Sequence, residues 1–175
     1  MIKLKRKIFI IILILVIINA YKINEQNIFI PESSIRLRVI PNSNNPTDIN
    51  IKKQVKTYLE SDIYSLTKDT KNIDEARNII SSNLNKIESN INNIFENNKY
   101  NLPYEVNFGE NYFPEKKYKG VTYQEGYYES LVISIGDAKG DNWWCVLFPN
   151  FCLVDTENKP EEYKSYFKEL MNKIF

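Results

Sequence analysis

Cys145 and Cys152 are the two cysteines of the chain. Their residue type admits nucleophilic catalysis, dithiol exchange or a disulfide. The sequence contains no histidine. That removes the usual base for a serine or cysteine nucleophile, histidine-based metal sites and imidazole pH switches. Redox pairs are usually Cys-x-x-Cys at a helix start, where the thiolate is favoured, whereas these cysteines lie in an apolar, strand-like run. Two cysteines alone cannot build the usual four-ligand zinc site. Four carboxylates, Glu129, Asp137, Asp141 and Asp155, flank the same stretch. A pair of them could do acid–base work, as in glycosidases, so an exported cell-envelope hydrolase is the enzymatic alternative. Aspartates in glycine-rich turns usually serve turn geometry instead. Gly136-x-x-x-Gly140 lacks the Gly-Lys-Ser/Thr ending of a phosphate loop and leads into a strand, so no helix N-terminus awaits an anion. The residues therefore read as a protein that is not an enzyme and takes no cofactor or metal.

The elements around the cysteines decide what they do. Asp141 to Asp155 holds both tryptophans and both cysteines, with Pro149 between two apolar runs. Proline is confined to turns, edges and strand ends, so the spacing predicts a hairpin with its turn at Phe148 and Pro149. Cys145 then faces Cys152, Val146 faces Phe151, Trp144 faces Leu153 and Trp143 faces Val154. Opposed residues of an antiparallel pair have Cα atoms about 4.5–5.5 Å apart, within the roughly 4.4–6.8 Å that a disulfide spans. The pair is therefore expected to bridge in an oxidising compartment. Alternation puts Trp144 and Val146 on one face and Trp143, Cys145 and Leu147 on the other. Both faces are apolar. Either both tryptophans serve a core, or one is an interface anchor.

The rest of the chain supplies the frame. Met1 to Asn19 has a basic start (Lys3, Lys5, Arg6, Lys7) and an unbroken apolar run from Ile8 to Ile18. That run suits a signal-peptide core of about 7–15 residues better than a spanning helix of about 20. Ala20 is the small residue nearest a cleavage point, so a cleaved signal and a retained anchor both stay open. Removing those four cations from the net charge of +1 leaves −3. A mildly acidic domain is a poor nucleic-acid binder. The expected organisation is a leader at 1–20, a spacer at 21–33 and one domain at 34–175.

Within that domain, Ser34 to Ile40 alternates Ile35, Leu37 and Val39 with Arg36 and Arg38, a half-buried strand by period. A solvated face is the ordinary reading of the two arginines, and a site for a partner's carboxylate is the alternative. Asn45 can cap a helix with Pro46 at its first position and Asp48 three after the cap, carrying Ile51, Val55, Leu59, Ile63 and Leu66. Asn72 caps a second, long helix running to about Glu96, with Asp74 and Glu75 in its first turn. Tyr104 to Phe108 and part of Tyr112 to Tyr123 read as short strands with turns at Gly109 and Gly120. Tyr112, Tyr118, Tyr123, Tyr127 and Tyr128 could line a core edge or an interface. Leu131, Ile133 and Ile135 mark a better strand, and Tyr163, Phe167, Leu170 and Ile174 a final helix. The expected fold class is α+β, with a mainly antiparallel sheet packed against two central helices and a C-terminal helix.

Three stretches carry a resemblance. Gly136 to Asp155, with its Trp-Trp-Cys-x-x-Phe-Pro-x-x-Cys core, closely resembles the signature segment of the stage II sporulation protein R family. Ile35 to Ser43 is similar to that family's opening strand and turn, and Phe113-Pro114, Tyr118, Gly126 and Tyr128-Glu129 to its middle. Asn150 stands where the family usually has a second proline, and Tyr123-Gln-Glu-Gly126 where Tyr-Pro-Ala-Gly is common. The resemblance implies an exported intercellular signal of endospore formation. It implies delivery from the forespore to the space between the septal membranes. There the protein would activate a membrane-embedded aspartic protease of the mother cell, which processes a pro-sigma factor. The candidate interface residues are Trp143, Trp144, Phe148, Arg36 and Arg38. Mass spectrometry of the exported protein under non-reducing conditions is expected to give a mass two hydrogens below that of the dithiol. Two free thiols would contradict the hairpin register.

Overall fold

A computed structural model describes residues 6, 10–13, 28–29, 33–118 and 121–149. The elements run β1 (Ile28–Phe29), β2 (Ile35–Ile40), α1 (Pro46–Thr67), α2 (Ile73–Ser82), α3 (Leu84–Asn97), β3 (Tyr104–Phe113), β4 (Lys116–Tyr118), β5 (Val121–Tyr123), β6 (Gly126–Ile135) and β7 (Trp143–Phe148). The expected second hairpin strand with Cys152 and Asp155, and the final helix, lie outside the described residues, as does most of the leader. No helix among the described residues is long and apolar enough to cross a membrane. Within the expected spacer, β1 pairs in parallel with β5.

The main sheet has the order β3-β6-β2-β7, and β1-β5-β4 form a smaller one. In the main sheet β3 runs antiparallel to β6, and β7 antiparallel to β2. The central pair, β2 and β6, is parallel, with Arg36 beside Ser130 and Arg38 beside Val132. The α+β class and the mostly antiparallel sheet are as the sequence predicts.

The alternation of β2 and β6 explains where the helices lie. Ile35, Leu37 and Val39 share one sheet face with Leu131, Ile133 and Ile135, and all six are buried in the main core. Helix α1 lays Ile51, Val55, Leu59 and Ile63 on this core. A spacing of four keeps them on one ridge of the helix. Full burial of each such side chain contributes about 1.5–3 kcal/mol. The expected long second helix is broken into α2 and α3 at Asn83. The Asn83 side chain donates to the Ile79 carbonyl at 2.8 Å, and its backbone N–H reaches Ile80 at 3.1 Å. Asparagine offers the backbone such local alternatives to the helical ladder. The apolar stripe continues across the break, through Ala76 and Ile80 to Ile87, Ile91 and Phe95. A turn at Gly109 is also absent, because β3 pairs with β6 at ten consecutive positions and Gly109 lies opposite Ser130.

The turn between β2 and α1 is organised by Asp48. Its backbone N–H donates to Asn45 Oδ1 at 2.8 Å, which makes Asn45 the helix cap. Its carboxylate is buried. It accepts from Tyr100 Oη at 2.6 Å, Ser43 Oγ at 2.7 Å, and Asn42 and Asn45 Nδ2 at 2.8 Å each. Burial pushes this carboxyl up, but donors from Tyr100, Ser43 and Asn42 together outweigh it and hold it below the usual carboxylate range. The same burial and the facing Asp48 charge push the Tyr100 hydroxyl up.

Asp48→Ala is expected to cost about 3 kcal/mol, because several buried donors lose their acceptor. The pH dependence follows from linkage. A depressed folded pKa gives stability that is complete above the unfolded value, near pH 4, and is lost as pH falls through the folded value. Denaturant midpoints measured below about pH 4 should therefore fall more steeply for the wild type than for Asp48→Asn. Parallel profiles would contradict the assignment.

Candidate functional site

The second face of the main sheet differs from the first. Even-numbered residues of β2 and β6 point here, among them Arg36, Arg38, Ile40, Tyr128, Ser130 and Val132. From β7, Val146 lies beside Arg36 and Trp144 beside Arg38. Phe113, Tyr128, Ile40 and Val132 form a small apolar cluster on which Trp144 packs. Phe113 meets Trp144 edge-on at 5.2 Å and Tyr128 at 6.2 Å.

Cations lie among these rings. Arg36 is fully buried, which corrects its reading as part of a solvated face. Its guanidinium stands 3.2 Å from the Tyr128 ring centroid and donates to the Gln124 carbonyl at 3.4 Å. An arginine can be buried this way because its planar, weakly hydrated cation stacks on aromatic faces. Arg38 is half-buried. Its Cζ lies 5.7 Å from the Phe113 centroid and 5.9 Å from that of Trp144. Nη1 donates to the Tyr112 carbonyl at 3.3 Å. Asn142, with its amide oxygen turned to the guanidinium, accepts from Nη2 at 3.1 Å and Nε at 3.2 Å. Lys116 Nζ sits 4.8 Å from the Trp144 centroid. Burial pushes both Arg38 and Lys116 down.

Trp143 points to the helix face, as alternation requires, and packs on the main core with Lys56 Nζ 5.4 Å from its ring. Both tryptophans are half-buried. Phe148 is buried in the main core. The β2–β7 register shifts between Ile35 and Arg36, so that Ile35 faces Phe148 while Arg36 faces Val146. This bulge turns Phe148 onto the same side as Cys145 and Leu147. The sheet thus brings Trp144, Arg36 and Arg38 together and sends Trp143 and Phe148 to the other face.

The loop before β7 sets the position of the tryptophans. Asn42 Oδ1 accepts from Asp137 N at 3.0 Å, and the Asn42 carbonyl accepts from Lys139 N at 3.1 Å. Gly140 N donates to the Pro41 carbonyl at 3.0 Å, and Asp141 N to Asn44 Oδ1 at 2.7 Å. Gly136 is left-handed with φ +56°, and a Cβ there would collide with the Asn42 side chain. Asp48 holds Asn42 from the other side.

Among the described residues, Glu129 does not converge with the loop aspartates. Glu129 lies on the helix face, where it takes Arg77 Nε at 2.6 Å and Nη2 at 2.8 Å. Six strand steps separate it from Ile135, about 20 Å at roughly 3.3 Å per residue. Glycosidase pairs need about 5–9.5 Å. Asp137 pairs with Lys139 at 2.8 Å, and no metal-binding group of His, Cys, Asp or Glu exists among the described residues.

Sequence reasoning missed Lys116, Lys52, Asn142 and the ring-lined setting of Arg36. The parity of Tyr128 and Val132 on β6 was a usable signal, but the parallel pairing that sets them beside the arginines leaves none. Arg36→Lys should lower stability by about 2 kcal/mol, since an ammonium cannot stack in the guanidinium's place. A denaturant midpoint unchanged from wild type would contradict this.

The family model described as stage II sporulation protein R matches residues 31–158. A stage II sporulation protein R from Bacillus subtilis (strain 168) is 35% identical over 159 residues, covering 89% of this chain and 71% of that protein. No solved structure matches.

Proposed function

The chain belongs to the stage II sporulation protein R family and has a role in sporulation; from that premise we propose that it is an exported signal that works by binding. Its partner is a membrane-embedded aspartic protease of the mother cell. Contact with this chain switches the protease on, and the protease then processes a pro-sigma factor. The leader delivers the chain across the cytoplasmic membrane into the space between forespore and mother cell, either freed or still tethered. A Cys145–Cys152 bridge closes the end of β7 there.

One observation carries the binding role. The Trp143–Trp144 pair, inside the stretch that carries the family resemblance, is half-buried, one ring on each face of β7, with cations beside both rings. Tryptophan and arginine are the residues most enriched at the energetic centres of interfaces. Enzymatic action has less support, because Glu129 is engaged by Arg77 and lies far along β6 from the loop aspartates.

Co-expression of the chain with the protease and its pro-sigma factor in a non-sporulating host tests the proposal. Processing is expected only when all three are present, and Trp144→Ala should reduce it about tenfold or more, the scale of an interface hot spot. Processing that is equal without this chain would contradict the proposal. So would cleavage of the pro-factor by the purified chain alone.

A further inference from the structure

Arg38, Lys52 and Lys116 converge on one corner of the sheet without a matching carboxylate contact among the described residues. Lys116 and Arg38 share the Trp144 indole, at 4.8 and 5.9 Å from its centroid. Lys52, on α1, reaches the same corner and donates its Nζ to the Asp141 carbonyl at 2.9 Å. Among the described residues, the hydrogen-bond partners of Arg38 are neutral oxygens of Tyr112 and Asn142. Those contacts use three of the five N–H donors of a guanidinium and fix its plane. Among the described residues no carboxylate comes within ion-pair distance of these three side chains. Partly buried charges are normally paired. Here burial pushes Lys116 down, Asp141 pulls it back, and Lys52 and Arg38 push it down further.

We propose that this corner is the docking site for a carboxylate side chain on an acidic segment of the protein partner, with Arg38 and Lys116 as its donors and Trp144 as the wall it lies against. The proposal rests on the binding role given above and names the chemistry of that contact. A planar, pre-oriented guanidinium suits a carboxylate, which it can take with two parallel hydrogen bonds. An anionic membrane surface fits less well. Surface-seated proteins insert projecting apolar side chains among the lipids, and Trp144 is recessed against Phe113. Among the described residues, the exposed aromatic side chains of the sheet, Tyr112 and Tyr127, lie on the opposite face.

The test uses the full chain in the three-component processing assay, with Lys116→Glu, Lys52→Glu and Arg38→Gln. Lys68→Glu is the control, because it lies at the far end of α1, sixteen residues from Lys52 and about 24 Å along the helix axis. Each corner variant should lower processing about tenfold or more, with a denaturant midpoint near the wild type's, while Lys68→Glu processes normally. Replacing an acidic residue by lysine in the extracytoplasmic part of the protease should restore activity to Lys116→Glu. Folded corner variants that process at the wild-type rate would overturn the site. It would also be overturned if those variants kept processing but lost retention on vesicles of phosphatidylglycerol and phosphatidylethanolamine, an outcome that would assign the corner to a lipid headgroup. If the wild-type chain and Lys68→Glu both fail to trigger processing, the binding role itself falls, and the site with it.

Discussion

A buried carboxylate holds together the part of this protein that matters most. Asp48 would be costly to bury alone, and four side-chain donors offset that cost. Those donors come from the turn that leads into the helix start and from Tyr100, beyond the end of α3. Asn42 is the link outward, since its amide nitrogen serves Asp48 while its two oxygens receive the backbone of Asp137 and Lys139. The loop from Gly136 to Asp141 is thereby fixed to the β2–α1 turn. β7 starts two residues later, so the same contacts set which residues of β7 meet β2. The position of both tryptophans follows from a carboxylate on a helix they do not belong to.

The sheet that results has two unlike faces, and strand parity is the cause. The odd residues of β2 build an aliphatic core under three helices, and its even residues place two arginines among aromatic rings. On the second face the arginines divide the work. Arg36, sealed beneath Tyr128, supports the packing, and Arg38, one step further along, is half-buried beside Trp144. The bulge at the end of β7 keeps the two faces consistent by returning Phe148 to the core.

Much of this frame was legible in the residues. Asn45-Pro46-x-Asp48 and Asn72 announce helix starts because a cap needs a side-chain oxygen and a first turn that tolerates proline. The alternation in Ile35–Ile40 and Leu131–Ile135 announces strands with one buried face. What stayed hidden depends on contacts distant in sequence. Arg36 looked solvent-facing because parity names a face but not what covers it. Gly109 looked like a turn because its local freedom is visible and its ten-position ladder is not. The break at Asn83 lies in a stripe whose apolar spacing runs straight through it. The corner site needs Lys52 from α1, Lys116 from β4 and Arg38 from β2, which only the folded topology assembles.

Native-state hydrogen exchange on Asp48→Asn, compared with the wild type, tests most directly the claim that this one carboxylate positions the Trp143–Trp144 corner. The account predicts that the amides of Asp137, Lys139, Gly140 and Asp141 lose protection together while those in the middle of β6 keep theirs. Unchanged protection across Asp137–Asp141 in a folded variant would contradict it.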